Sequence, residues 1–260
     1  MVENKRNWYS PVAEIYYEAR PNYPQTLIDF AIANLNLDYD SKILEIGCGA
    51  GNATVPFAKS NASITCIEHN QKFCSLVKQN TKQFSKVRVC HQSFEEWELE
   101  KGKYDAVLSA SALHQIPSAI AYSKTAAALK TKGAIILLWN LTPELNYEVY
   151  RQVEAIYQKH VPSLVRYEGQ ETQRKILQGF KQNLLDSGYF EDCIERQTAC
   201  KITYTIEQYF NLICTLRRIA PDRQQLLFEE LTKCLLKQEN SVELSFLSAV
   251  HIARKKERYS

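Results

Sequence analysis

A short apolar strand that ends in an acid and three closely spaced glycines constrains this chain more than any other feature. Residues 42–52 read Lys-Ile-Leu-Glu-Ile-Gly-Cys-Gly-Ala-Gly-Asn. The apolar residues predict a buried strand. Gly47, Gly49 and Gly51 allow a sharp turn whose backbone N–H groups can approach a ligand. A helix predicted to begin at Thr54 would place that ligand at its N-terminus.

Two details distinguish this turn from a dinucleotide-binding turn. The Gly-x-Gly-x-x-Gly pattern requires its third glycine at position 52, where this chain has Asn52. Glu45 stands two residues before the first glycine, where a carboxylate would repel a pyrophosphate and attract a cation. We therefore expect a positively charged ligand. S-adenosylmethionine meets this requirement because it carries a sulfonium and an ammonium group and no phosphate.

A second acid ends the next predicted strand. Residues 63–68 alternate between apolar and polar side chains and finish on Glu68, 23 positions after Glu45. A carboxylate at about this distance beyond a glycine turn binds ribose hydroxyls in mononucleotide-binding units. The alternative is that Glu68 is only the polar end of a strand.

The glycine turn with its acid, followed by Glu68, resembles the class I S-adenosylmethionine-dependent methyltransferases. Residues 92–95 resemble the loop that holds adenine in that family, and residues 109–114 resemble the loop that faces the methyl group. Residues 20–24, Arg-Pro-Asn-Tyr-Pro, resemble the N-terminal element of the trans-aconitate methyltransferase-like subgroup. The resemblance is strongest over residues 16–139.

The resemblance implies a set of cofactor-binding residues. They are Tyr16, Arg20, Glu45, Gly47, Cys48, Gly49, Gly51, Thr54, Glu68, His69, Ser93, Phe94, Ser109 and Ala110. Ser93 stands where many members of the family carry an acid. Arg20 could clamp the carboxylate of the cofactor or that of an acidic substrate through its planar guanidinium, or be a surface arginine before a helix stop.

Methyl transfer from a sulfonium is an in-line displacement, which requires mainly positioning and the exclusion of water. A carboxylate acceptor needs no base, whereas a phenol, hydroxyl or amine can require one. His114 is the best-placed base because imidazole titrates near neutral pH. The alternative is that His114 only packs against the cofactor.

Alternating strand and helix signals predict an α/β fold with a Rossmann-like, seven-stranded, mostly parallel sheet and helices on both faces. We expect one domain, with a core of about residues 25–141, 189–202 and 241–253. Helical segments after the fifth strand and between the last two strands, about residues 142–188 and 205–238, predict a cap over the substrate pocket. The alternative is that these helices only cover exposed sheet or form a dimer contact. Residues 1–24 are expected to form a lid. Lys132 and Gly133 predict a turn into the fifth strand, residues 134–139.

Composition limits the remaining possibilities. A formal net charge of +3 among 260 residues gives little reason to expect a nucleic-acid partner. The eight cysteines contain no Cys-x-x-Cys pair, so no metal is expected. The absence of a signal-like segment or a long apolar run predicts a cytoplasmic protein without a membrane partner. We expect a small-molecule methyl acceptor and a monomer or homodimer.

Three other functions are alternatives to methyl transfer to a small molecule. A nucleic-acid methyltransferase would be expected to carry Asp/Asn-Pro-Pro-Tyr or a Pro-Cys nucleophile, which this chain lacks. A non-catalytic S-adenosylmethionine-binding protein fits the same cofactor residues. A dehydrogenase fits them least, given Glu45 and the glycine spacing.

Overall fold

The computed structural model of the protein describes residues 9–235 and 240–257. The first eight residues of the predicted lid therefore lie outside the described residues. Residues 236–238 of the predicted cap also lie outside the described residues. The division into core, cap and lid stays a prediction.

A single mixed sheet organises the described residues. Its strands are β1 (Lys42–Ile46), β2 (Ser63–Glu68), β3 (Val87–His91), β4 (Tyr104–Ala110), β5 (Leu129–Asn140), β6 (Glu144–Leu145), β7 (Phe190–Thr205) and β8 (Ser241–Lys255). They lie in the order β3-β2-β1-β4-β5-β8-β6. Strand β7 pairs with most of β8, along the edge of β8 that does not pair with β5. The first five strands are parallel, and β8 is antiparallel to each of its neighbours. The predicted α/β class with a mostly parallel sheet is confirmed.

The sheet contains one strand more than the seven we predicted. The addition is the two-residue β6, whose Glu144 and Leu145 pair with Ser245 and Leu244 of β8. Two residues are too few for an alternating pattern to be recognised in the sequence. β6 forms because the chain passes β8 on its way out of β5.

Helices cover both faces of the sheet. They are α1 (Ala13–Ala19), α2 (Gln25–Leu35), α3 (Thr54–Ala58), α4 (Gln71–Asn80), α5 (Ser118–Ala128), α6 (Tyr147–His160), α7 (Gly169–Asp186), α8 (Ile206–Leu216) and α9 (Pro221–Leu235). Local sequence explains several of their starts. Asn70 and Asn146 accept backbone N–H groups at the starts of α4 and α6, and Thr205 forms a capping box with Gln208 at the start of α8.

The beginning of β5 differs from the prediction. The strand starts at Leu129, which pairs with Tyr104, and the pairing resumes only at Ala134 opposite Ala106. The predicted turn therefore lies inside the strand as an irregularity, with Lys132 in the left-handed region at φ +66°. The sequence predicted a turn here because Lys132 and Gly133 interrupt the apolar run that forms the rest of β5.

The helices after β5 pack in two different places. Leu177 and Leu184 of α7 join the main core beside the sheet. The helices α6, α8 and α9 share a separate core that includes Tyr157, Leu212 and Leu231. Among the described residues, no helix has both the length and the apolar character needed to cross a lipid bilayer.

Parallel pairing brings the predicted site residues to one edge of the sheet. Glu45 lies opposite Cys66 in β2 and Leu108 in β4, and Glu68 ends β2 opposite His91. The loops that follow β1, β2, β4 and β5 thus leave the same edge, where ligands bind in open α/β sheets.

Candidate active site

The glycine turn joins β1 to α3. Gly47, Gly49 and Gly51 all have positive φ angles, of +66°, +54° and +97°, which glycine adopts without the steric cost of a side chain. A Cβ at Gly47 would lie 2.6 Å from the Cβ of Ala112, so the loop after β4 packs directly on the turn. A Cβ at Gly49 would meet no atom of residues 9–235 or 240–257 within 4 Å. Among the described residues, there is thus no room for a side chain at Gly47, whereas there is free space beside Gly49.

Glu68 is hydrogen-bonded to the turn. Its Oε2 accepts the backbone N–H of Gly49 at 3.0 Å, and its Oε1 accepts the backbone N–H of Asn70 at 2.8 Å. The Nδ1 atom of His69 lies 3.3 Å from Glu68 Oε1. Glu68 is only 4% exposed. The carboxylate therefore has a fixed orientation, and Oε2, which accepts from Gly49, keeps a lone pair for a further donor.

Glu45 lies beneath the turn and is fully buried. Burial raises the pKa of its carboxyl to about 8. The thiol of Cys66 lies 3.7 Å from Glu45 Oε2, while Glu45 Oε1 and the hydroxyl of Thr54 have no hydrogen-bond partner among the described residues. The attraction to a cation that we predicted from the sequence requires an ionised carboxylate. With a pKa of about 8, Glu45 is mainly protonated at neutral pH before a cation approaches.

The loop after β3 carries Ser93 and Phe94, both buried. The Ser93 hydroxyl donates to Glu96 Oε2 at 2.6 Å and accepts the Glu96 N–H at 3.3 Å. The Phe94 ring stacks on Trp97 with 5.9 Å between the ring centroids. The Lys124 ammonium donates to the backbone oxygens of Phe94, Glu95 and Trp97. This ammonium fixes the loop against α5.

The end of β4 lies beside the glycine turn. The buried Ser109 hydroxyl donates to the backbone oxygen of Ile46 at 3.2 Å, and Ala110 ends the strand. The next residue, Ser111, has a positive φ of +54° and accepts the phenol of Tyr23 at 3.2 Å. Burial raises the pKa of that phenol, so Tyr23 stays protonated and can donate.

Helix α1 packs on the glycine turn. The rings of Tyr16 and Phe73 lie 5.1 Å apart, and both belong to a small apolar cluster with Ala13 and Ala50 of the turn. The side-chain amide of Asn52 donates to the backbone oxygen of Tyr17 at 3.2 Å (Asn52 Nδ2 to Tyr17 O). The described part of the predicted lid thus covers the turn.

Arg20 follows α1 and connects it to the cap. Its Nη2 donates to the backbone oxygen of Thr215 at 2.7 Å, and its guanidinium lies 5.1 Å from the centre of the Tyr16 ring. The Nε atom of Arg20 is buried and has no hydrogen-bond partner among the described residues. Tyr204 donates to the backbone oxygen of Ala19 at 2.9 Å. Arg20 therefore joins the end of α1 to α8, and its Nε is a buried donor without a partner among the described residues.

His114 lies in a short 3-10 turn after β4, beside two aromatic rings. Its ring centroid is 5.6 Å from that of Trp139 and 6.2 Å from that of Phe180, and the latter two rings stack at 4.1 Å. Partial burial lowers the pKa of the His114 imidazole, although the side chain keeps an exposed edge. The indole N–H of Trp139 is buried without a hydrogen-bond partner in the described structure. This cluster is a second polar and aromatic surface near the end of β4.

Some residues that support the site were not predicted from the sequence. Asn70 holds Glu68 through its backbone and donates from its side chain to Ser10 in the lid at 2.8 Å. Its position before a helical segment was a capping signal that could have identified it. Phe180 of α7 lies 66 positions after His114, and no local pattern in the sequence links the two.

The site provides suitable groups for a cationic nucleoside. Among the described residues, Gly49 has open space beside it and Glu45 Oε1 is a buried acceptor without a partner, while Glu68 offers a lone pair to hydroxyl groups. These groups suit a ribose and a cation better than a pyrophosphate, for which basic side chains would be expected.

The comparisons with known proteins agree with this arrangement. The family model described as "Methyltransferase domain" matches residues 43–133. An rRNA adenine N-6-methyltransferase of Bacillus licheniformis is 27% identical over 81 residues, which cover 31% of this chain and 28% of that protein. An uncharacterized methyltransferase-like protein of Schizosaccharomyces pombe is 27% identical over 155 residues, 58% of this chain and 59% of that protein. The chain thus spans less than two thirds of the length of either relative.

A solved structure shares the fold at low identity. The phosphoethanolamine N-methyltransferase 2 of Haemonchus contortus, in complex with phosphomonomethylethanolamine and S-adenosylhomocysteine, superposes with a TM-score of 0.56 at 13% identity. The superposition covers 98% of this chain and 60% of that one. Residues 43–133 thus match a methyltransferase domain, and the sheet order and the glycine turn around them resemble those of the class I S-adenosylmethionine-dependent methyltransferases.

Proposed function

We propose that the protein transfers a methyl group from S-adenosylmethionine to a small-molecule acceptor. The observation that carries the proposal is the hydrogen bond between Gly49 and Glu68 beside open space at Gly49. This contact joins the two elements that were predicted separately to bind the cofactor. It creates a pocket edge that offers acceptors to hydroxyl groups.

Different loops would bind different parts of the cofactor. Glu68 would accept the ribose hydroxyls, Ser93 and Phe94 would border the adenine, and the glycine turn would face the methionine end. Glu45 would ionise when a cation lies above the turn, since an opposite charge lowers the pKa of a carboxyl. Arg20 would use its free Nε on a carboxylate. When bound, the cofactor supplies an electrophilic methyl group.

The acceptor would lie against His114, Trp139 and Phe180. The lowered pKa of His114 keeps its imidazole neutral at pH 7, so it can accept a proton from a phenol, hydroxyl or amine. A carboxylate acceptor would need only positioning, and the aromatic rings would exclude water from the reacting atoms. Small carboxylic acids are the first acceptor class to test, because the N-terminal element resembles that of trans-aconitate methyltransferase-like enzymes.

An rRNA or tRNA acceptor is the second candidate. The similarity to an rRNA adenine N-6-methyltransferase supports it, although that similarity covers 31% of this chain. A nucleic-acid acceptor would bind mainly through phosphates, and its affinity would fall steeply as salt increases.

The test has two steps. Isothermal titration with S-adenosylhomocysteine measures cofactor binding, and we expect a dissociation constant in the micromolar range. Radiolabelled S-adenosylmethionine is then incubated with small acids, phenols and amines, and separately with total tRNA and rRNA. Label in a small molecule supports the proposal, and label in RNA supports the second candidate. Cofactor binding without transfer to any acceptor would indicate a binding protein, and folded protein that binds no cofactor would refute both functions.

A further inference from the structure

The edge strand β7 is the longest strand in the described structure and pairs on one side only. It runs for 16 residues, from Phe190 to Thr205, and its recorded pairing is with β8. Along its other edge, no strand pairs with it among residues 9–235 and 240–257. Residues 194–197 are exposed. A long open edge of this kind presents unpaired backbone N–H and C=O groups to another chain.

The open edge is regular where it is exposed. The pairing with β8 shifts between Glu191 and Ile194, where Asp192 has a positive φ of +51°. From Ile194 to Thr205 the register then continues without interruption. Twelve consecutive residues thus form an uninterrupted edge, long enough for a partner strand of ordinary length.

Charged side chains usually protect such an edge from pairing. The regular part of β7 carries Glu195, Arg196 and Lys201. Within the chain, Glu195 lies 3.2 Å from the ammonium of Lys181, and Lys201 lies 2.8 Å from a carboxylate oxygen of Glu243. These ion pairs are exposed and contribute little, so the charges remain available to a partner.

Symmetry limits how two copies of β7 could pair. In an antiparallel pair related by a two-fold axis through the sheet, facing residues point to the same side. The axis must therefore pass midway between the two copies of one residue, so that this residue faces its own copy; we call this residue the centre of the pairing. With the axis at Thr198, Glu195 faces Lys201 of the partner subunit and Ile194 faces Ile202 of the partner subunit. Each charge pair occurs twice.

Other positions of the axis lose this complementarity. An axis at Glu195, Arg196 or Lys201 places that charge opposite the same charge. An axis at residue 197, 199 or 200 places Glu195 and Lys201 opposite neutral residues. Between residues 195 and 201, Thr198 is thus the one centre that pairs opposite charges without opposing like charges.

We propose that two copies of this chain associate through β7, antiparallel and centred on Thr198, so that the sheet continues across a two-fold axis. The pairing satisfies the open backbone edge and neutralises Glu195 and Lys201 across the interface. None of the proposed cofactor residues lies on β7, so this proposal is independent of the proposed function.

A cysteine at the axis tests the register directly. Facing residues in an antiparallel pair have Cα atoms about 4.5–5.5 Å apart, which suits a disulfide. In Thr198→Cys, two thiols would form one S–S bond and pass two electrons and two protons to an added oxidant, copper-phenanthroline with dioxygen. We expect a covalent dimer that reductant reverses. The control Gln197→Cys would face Ala199 of the partner subunit and should stay monomeric in denaturing electrophoresis, as should the wild type.

Charge reversal provides the second test, by sedimentation equilibrium. The wild type should approach twice the single-chain mass of 30.0 kDa as concentration rises. Glu195→Lys or Lys201→Glu alone should weaken dimerisation at least about tenfold, and the double reversal should restore it. Circular dichroism and a cooperative urea unfolding transition confirm that each variant is folded. A wild type that remains a single chain, or a folded Thr198→Cys variant that forms no covalent dimer, would overturn the proposal.

Discussion

Glu68 accepts the backbone N–H of Gly49, with 3.0 Å between Gly49 N and Glu68 Oε2. The end of β2 and the glycine turn after β1 therefore form one hydrogen-bonded unit. The other carboxylate oxygen accepts the N–H of Asn70, which caps α4. Loss of the carboxylate should affect the turn, the helix and the proposed ribose contact together.

The substitution Glu68→Gln tests this unit. An amide keeps one acceptor oxygen but places an NH2 group against a backbone donor, so one buried N–H loses its partner. We expect a loss of about 1–3 kcal/mol in the free energy of unfolding and at least about tenfold weaker binding of S-adenosylhomocysteine. Urea denaturation and calorimetry measure the two effects. Glu171→Gln is the control, because that side chain is 82% exposed. Wild-type affinity in a folded Glu68→Gln variant would contradict the assignment.

Gly49 and Gly102 form a matched pair for testing the turn. Both have positive φ angles, +54° and +60°, and a Cβ at either would meet no atom within 4 Å. Alanine at either position should cost roughly 1–2 kcal/mol from backbone strain. Only Gly49→Ala should also lose affinity for S-adenosylhomocysteine, because its methyl group would occupy the proposed cofactor space. Equal cofactor affinities in the two variants would show that the space at Gly49 is not used.

The buried Glu45 carboxyl predicts a pH dependence of stability. Its pKa is about 8 in the folded chain and near 4.5 when exposed. The folded state therefore holds a proton that the unfolded state releases above about pH 4.5. This contribution is fully present below that pH and is lost as pH rises to about 8.

The comparison variant is Glu45→Gln, which cannot titrate. Relative to this variant, the wild type should lose stability, of the order of a few kcal/mol, between about pH 5 and about pH 8. Urea midpoints at a series of pH values measure the difference. Parallel curves for the two proteins would mean that Glu45 titrates normally.

His114 can act as a base or only as a packing residue. Its position against Trp139 and Phe180 allows His114→Phe to keep a ring there. If the imidazole accepts a proton, this variant should bind S-adenosylhomocysteine normally but turn over about 10²-fold more slowly with a phenol or amine acceptor. The wild-type rate should fall at low pH, where the imidazole becomes protonated. Unchanged turnover in His114→Phe would assign His114 to packing.

Much of the fold could be predicted from local signals. The end of β2 agrees with the alternating run that finishes at Glu68. The irregular start of β5 and the two-residue β6 could not be predicted in this way. Both depend on pairing with distant strands, since Leu129 pairs with Tyr104 and Leu145 with Leu244.

The candidate site likewise contains residues that could be predicted from the sequence and contacts that could not. The glycines and the two acids were recognisable because their spacing along the chain is characteristic. The contact of Arg20 with Thr215 joins residues 195 positions apart, so no window of sequence contains it. The stacking of Phe180 near His114 also depends on where α7 packs.

By itself, the sequence determined where the turn, its glycines and its two acids lie, because backbone freedom and strand periodicity are local properties. The tertiary structure decided what those groups do. Burial gives Glu45 a pKa of about 8, and the approach of β2 to the turn gives Glu68 its two backbone donors. It also decided that β7 lies at the edge of the sheet. Desolvation and strand neighbours depend on the whole packed chain, which is why these properties emerge only from the fold.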